Sequence, residues 1–311
     1  MNLFYAICFV FLSVFLILSV YAQSPTFEKH EFVYKEILNH EIKANIFIPN
    51  DRENCPVVVY VHGGGFIFGN RDLGLQDDLR DKFIENNFAV VSADYRLAPE
   101  TKLDEILNDV RDVVLWLRQN GAQQFNVDSD KIAVAGGSAG GYLALSTGFT
   151  VKPAPQAIIA ISGPTEFVDA EIKIGDSAIL RQPGPYDIVT DIIVSYGDYE
   201  ARKELWRFLA QNNLLILEVF GFDVNQDKAR LENFMLSKQI DLNYPPTLFV
   251  HAINDHLVPV EQARLLYDFL KGKKMQSEIY LVDEGHSSGL IRNNPEAVEK
   301  IVAFLKNIFE K

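Results

Sequence analysis

Short unbroken apolar runs alternate along the chain with stretches whose apolar residues return every three or four positions. Residues 32–37 and 42–48 read as two strands, the second placing Ile42, Ala44, Ile46 and Ile48 on one face. Residues 57–61, 88–91, 132–135, 157–161, 248–250 and 279–282 are continuous apolar runs instead, as expected of parallel strands covered on both faces. Between them, residues 103–118 carry Ile106, Leu107, Val110, Val113, Val114 and Leu117 at helical spacing, and 261–270 and 295–309 repeat the pattern. Strands alternating with helices predict right-handed crossovers and an α/β fold, with a mostly parallel central sheet, helices on both faces and the first hairpin as an antiparallel edge.

Residues 164–246 break this rhythm. The stretch is too long for a connection and has helical patches of its own, notably 204–217. Because a strand and two helices follow it, it is expected to be a cap inserted into the sheet's connectivity within a single domain spanning 23–311. No internal repeat is visible.

The first 22 residues have a different character. Residues 3–22 carry no charge and are densely apolar, ending Val20-Tyr21-Ala22 before the polar Gln23-Ser24-Pro25. This is the pattern of a secretory signal peptide cleaved after Ala22, or, left uncut, of a signal anchor long enough to span a bilayer. Either way the rest of the chain is expected on the exoplasmic side, secreted, lumenal or membrane-anchored. Of the two cysteines, Cys8 falls in this leader, which leaves Cys55 as a free thiol or an intermolecular partner. No N-glycosylation sequon follows the leader.

Composition narrows the function. With 48% apolar residues in a chain of 311, a large core is available. The net charge of −13, without a cluster of Lys or Arg, makes nucleic acid an improbable partner. Contact with a membrane is expected only through an uncleaved leader.

The strongest chemical signal is Gly136-Gly137-Ser138-Ala139-Gly140, set between the apolar run ending at Ala135 and a helix-compatible segment. A serine in such a strand–turn–helix context is presented above the sheet at a helix N-terminus, with glycines where side chains would clash. Its hydroxyl is a poor nucleophile unless a base and an orienting acid follow. His286 and Asp255 lie just past the ends of two later strands, in the order Ser, Asp, His. His251 reads as a satisfied core histidine, His256 points elsewhere if Asp255 faces the site, and Asp283 and Glu284 are too near His286 in sequence for easy pairing. His62-Gly63-Gly64-Gly65-Phe66 follows another strand and supplies backbone N–H groups at Gly64 and Gly65 which, with that of Ala139, suit an oxyanion.

Taken together, His62 to Gly65, Asp94 to Glu100, Gly136 to Gly141, Asp255 and Gly285-His286 resemble the α/β-hydrolase superfamily, in particular its hormone-sensitive-lipase-like carboxylesterases and the small acetyl and feruloyl esterases. The resemblance covers about residue 32 to the C-terminus. It implies an ester hydrolase with a small-molecule ester substrate and no metal or cofactor, and a scaffold role for Asp94 to Glu100. Amide hydrolysis of a peptidase or arylformamidase kind, and a catalytically silent binding module, are the alternatives. Phe66, Trp206, Phe220 and Phe222 are candidates for lining a substrate pocket, against the alternative that these aromatics form the core of the cap.

Overall fold

A computed structural model of the chain describes residues 25–50, 52–167 and 199–310. The expected leader, 1–22, and residues 168–198 of the expected cap lie outside the described residues.

The chain enters through a hairpin of β1 (Phe27–Ile37) and β2 (His40–Pro49). There follow β3 (Cys55–Val61), α1 (Asp77–Glu85), β4 (Ala89–Ala93), α2 (Leu103–Phe125), β5 (Val127–Gly137), α3 (Ala139–Thr150) and β6 (Ala157–Ile161). The described part of the insertion holds α4 (Tyr199–Gln211), α5 (Leu215–Phe220), α6 (Lys228–Leu231), a single helical turn at Glu232–Phe234 and α7 (Leu236–Gln239). After it come β7 (Thr247–Ala252), α8 (Val260–Gly272), β8 (Ser277–Val282), α9 (Ser288–Asn293) and α10 (Pro295–Phe309). The described strands form one eight-stranded sheet in the order β1-β2-β4-β3-β5-β6-β7-β8. β2 pairs antiparallel with β1 and β4, and the remaining pairs are parallel. The antiparallel edge and the parallel centre follow the apolar pattern.

Period-two alternation explains why the central strands lack a polar face. Val57, Val59, Val61, Ile132 and Val134 point into one core with α2 and α3, while Val58, Tyr60, Ala133 and Ala135 point into the other with α1 and α10. Both faces are covered, so every position along these strands is stabilised by burial, at about 1.5–3 kcal/mol for each large aliphatic side chain. The resulting rigid layer carries the loops at its C-terminal edge.

Residues 204–217 do not form one helix. Two helices meet at Asn212-Asn213, where Asn213 turns to φ 56° and the N–H of Leu214 closes on the carbonyl of Leu209 at 2.8 Å. Leucines continue at helical spacing across the break, which is why the periodicity hides it; asparagine tolerates the left-handed conformation that ends a helix.

Asp94 to Glu100 organises the base of the site. Asp94 is buried and pairs with the buried Arg71, and its carbonyl accepts from the Tyr34 hydroxyl at 2.6 Å. The Arg96 guanidinium meets the fully buried Asp109 through Nε and a terminal nitrogen, both at 2.7 Å. Glu100 reaches the insertion: Arg202 of α4, also buried, donates to both Glu100 oxygens at 3.1 and 3.0 Å, to the Ile67 carbonyl at 2.6 Å and to the Ala98 carbonyl. Buried carboxylates and guanidiniums persist only when paired in this way. Cys55 is itself buried at the start of β3, and that burial pushes its thiol up, as for a packing residue rather than an exposed intermolecular link. No helix of the described residues is long and apolar enough to cross a membrane.

Candidate active site

Ser138 stands between β5 and α3 with φ 56° and ψ −123°, a conformation that non-glycine residues rarely adopt. The turn is held from both sides. The N–H of Ser138 donates to the Ile161 carbonyl of β6 at 2.8 Å, and the Ser138 carbonyl accepts the N–H of Gly141 at 2.8 Å. A side chain at Gly140 would lie 2.1 Å from the Val61 carbonyl, so only glycine lets α3 sit this close to β3.

Three loops converge on this serine. His286, after β8, places Nε2 2.9 Å from Ser138 Oγ. Its Nδ1 lies 2.8 Å from Oδ2 of Asp255, after β7. Because a carboxylate can only accept, Nδ1 carries the proton and Nε2 presents its lone pair to the serine hydroxyl. Oδ1 of Asp255 accepts the N–H groups of Leu257 and Val258 at 2.9 and 3.0 Å. Burial pushes the Asp255 carboxyl up, but the hydrogen bond from His286 and the two N–H donors outweigh it and hold the carboxyl below the usual carboxylate range. Ser287 and Ser162, both at positive φ, brace the base: Ser287 N–H donates to Ser162 Oγ at 3.1 Å.

None of the competing candidates replaces Asp255 or His286 in these contacts. His256, Asp283 and Glu284 are exposed. His251 is buried in β7 and donates from Nε2 to the Val258 carbonyl at 2.9 Å, which ties down the loop of the acid; the same nitrogen lies 3.5 Å from Asp255 Oδ2. Burial lowers its pKa and favours the neutral imidazole.

Gly64, Gly65 and Ala139 gather around Ser138 with backbone N–H groups that donate to no acceptor among the described residues. The loop is braced by His62. The carbonyl of His62 accepts the Tyr95 hydroxyl at 2.9 Å, its ring stacks on Tyr95 at 4.2 Å, and its Nδ1 donates to the Gly63 carbonyl at 2.7 Å. Full burial pushes the His62 pKa down from 6.5 to about 4, so the ring is neutral in the folded protein. The unfolded chain therefore takes up a proton first on acidification, and His62 contributes stability that is complete above about pH 6.5 and disappears as the pH falls towards about 4. That interval amounts to about 3 kcal/mol. Urea unfolding of the full-length protein should reveal it as a loss on going from neutral to mildly acidic pH that is absent from His62→Gln. Parallel pH dependences of the two proteins would contradict it.

Among the described residues, two cavities open on Ser138 and His286. One, of about 130 Å³, is walled mainly by apolar side chains, among them Phe66, Phe167, Leu215, Val219 and Val258, with Glu166 and Gln262 as polar members. The other, of about 190 Å³, is floored by Gly63, Gly64 and Gly69 and walled by Phe68 and Tyr199. Trp206 and Gly65 line both cavities. A side chain at Gly65 would collide with the indole at 2.2 Å, so the absence of one lets Trp206 rest on the loop.

Of the four aromatics proposed as lining, Phe66 and Trp206 reach the cavities; Phe220 and Phe222 do not. They pack edge to face on each other at 5.7 Å, and Phe220 packs on Phe234 at 5.0 Å, forming the core of the insertion instead. Their spacing from Trp206 carries no information on which side of α5 faces the cavity, the side of Leu215 and Val219. Leu257, Val258 and Pro259 are signalled in sequence, since they lie two to four positions past Asp255. Glu166 and Gln262 leave no signal in sequence. Among the described residues no cluster of His, Cys, Asp and Glu is arranged to hold a metal ion.

Comparison with known proteins agrees with this architecture. A family model described as BD-FAE matches residues 44–270, well over half of the chain. Esterase LipC of Mycobacterium tuberculosis is 27% identical over 82% of this chain and 59% of its own length. The non-reducing polyketide synthase atr1 of Stereocaulon alpinum is 33% identical over 48% of this chain, a match that takes in 6% of the synthase. The chain thus spans less than two thirds of these curated relatives. Among solved structures, a Pyrobaculum calidifontis esterase superposes with a TM-score of 0.66 and 26% identity, covering 96% of this chain and 91% of that one. With the family match carrying most of the sheet, the serine turn and the loop of Asp255, the chain belongs to the BD-FAE family of α/β hydrolases.

Proposed function

We propose that this protein hydrolyses carboxylic esters through Ser138, His286 and Asp255. The observation that carries the reading is the unbroken relay from Asp255 Oδ2 through His286 to Ser138 Oγ, with spacings of 2.8 and 2.9 Å, at the junction of two cavities. An ester lying across Ser138 extends one portion into each cavity. His286 Nε2 takes the serine proton as Oγ attacks the carbonyl carbon, and Asp255 stabilises the imidazolium that results. The charge developing on the carbonyl oxygen meets the N–H groups of Gly64, Gly65 and Ala139, which have no other acceptor and need not reorganise. The imidazolium returns the proton to the departing alkoxide. Water, activated by the same histidine, then releases the acid from Ser138.

The test is labelling of the full-length protein with a fluorophosphonate probe, followed by mapping of the modified peptide and by turnover of matched nitrophenyl esters and nitroanilides. Modification at Ser138 with turnover of the esters is the expected result. Modification with turnover of the anilides alone would make the enzyme an amidase, and a folded protein that takes up no probe would leave no activated serine.

A further inference from the structure

The apolar cavity beside Ser138 has one polar corner whose hydrogen bonds are incomplete. Glu166 spends one carboxyl oxygen on the N–H of Ser237 at 2.9 Å, while its Oε2 is buried with no partner among the described residues. Gln262 spends its amide oxygen on the N–H groups of Thr165 and Glu166 at 2.9 and 2.8 Å. Those two donors fix which end of the amide is oxygen, and so the NH2 group is the end left over; it too has no partner among the described residues. A buried acceptor without a donor costs about 1–3 kcal/mol, and such a pair is stable when something else completes it.

We propose that Glu166 and Gln262 form a subsite for a hydroxyl group, so that the enzyme prefers esters whose portion seated in this cavity carries one. The proposal rests on the ester reading of Ser138 and names the substrate class of that site. A lone acceptor would suit an ammonium and a lone donor a carbonyl, but an acceptor and a donor left over on two residues that line one cavity ask for a group that both gives and takes. A hydroxyl does so within one heavy atom and is the least costly such group to bring out of water into a cavity otherwise walled by Phe167, Leu215 and Val219. The same logic makes a site with unmet polar groups reject the analogue that lacks the hydroxyl.

Measurement of kcat/KM for matched ester pairs tests this. On the acyl side the pairs are ethyl glycolate with ethyl acetate, ethyl β-hydroxybutanoate with ethyl butanoate, and ethyl ω-hydroxyhexanoate with ethyl hexanoate. On the alcohol side the pair is ethylene glycol monoacetate with propyl acetate. At least one hydroxylated ester should be preferred about tenfold or more, the value of one hydrogen bond to a charged group. Glu166→Gln keeps the oxygen that Ser237 needs, and Gln262→Glu keeps the oxygen that Thr165 and Glu166 need, yet each spoils the pairing of donor with acceptor. In both variants the preferred ratio should fall to within about twofold of unity, a readout independent of how much folded enzyme is present. Wild-type ratios near one for every pair, as when a resident water fills the corner, overturn the proposal, as does a preference that survives in both variants. Turnover of the unsubstituted esters reports separately on the ester reading itself.

Discussion

On the proposed mechanism, replacing Ser138 by alanine should lower ester turnover by about a millionfold, His286→Ala should do the same, and the double variant should lose almost nothing more. The physical reason is that the hydroxyl and the imidazole act as one unit: at 2.9 Å, Oγ is a nucleophile only while Nε2 can take its proton, and Nε2 has no other substrate-facing partner. Additive losses would mean that the two residues work independently and that the relay is not the route of the proton. A residual rate of about a thousandfold over water should persist in each variant, because the N–H groups of Gly64, Gly65 and Ala139 still meet the oxyanion. Single-turnover assays with a nitrophenyl ester, on protein verified as folded, resolve these levels.

Asp255→Asn should cost about ten-thousandfold in kcat while leaving the fold intact. The direction in which the new amide points is dictated by the loop. Oδ1 accepts two backbone N–H groups, from Leu257 and Val258, so the asparagine oxygen must occupy that place and its NH2 must face His286. An NH2 donates where the carboxylate accepted. The imidazole is then driven to the other tautomer, with its proton on Nε2, aimed at a serine hydroxyl it can no longer deprotonate. The loss should appear in kcat with KM little changed, since Asp255 has a fully buried side chain. Near wild-type turnover would show that another group orients His286.

Much of this site is legible in the sequence because it is built from backbone. The serine turn, the glycines after β3 and the loops after β7 and β8 are signalled by glycine placement and by where apolar runs stop, and these are local properties. The strand set is legible for a related reason: a strand buried on both faces must be apolar throughout, as Val57 to Val61 is. What sequence hides is side-chain direction in the insertion. Trp206 and Phe220 look alike as aromatics in helical patches, yet one rests on Gly65 and the other is enclosed by Phe167, Phe222 and Phe234. The decision between them lies in tertiary packing of short helices, after a break at Asn213 that resets the helical phase. Arg202 is hidden in the same way. On a helix rich in Glu, Lys and Arg it reads as one more solvated charge, and only the fold brings it to Glu100 and the Ile67 carbonyl.

That arginine makes two parts of the molecule thermodynamically inseparable. Its guanidinium is bound at once to the strand-following segment of Ala98 and Glu100 and to Ile67, whose own N–H, like that of Phe68, closes on the Gly64 carbonyl. Raising α4 from these loops would break the buried pair of Arg202 with Glu100 and release the Ile67 carbonyl at the end of the glycine loop in the same motion. Helix and loop therefore belong to one cooperative opening unit. On the mechanism proposed for Ser138, the state in which α4 rests on the loop is therefore also the state in which Gly64 and Gly65 are held for the oxyanion.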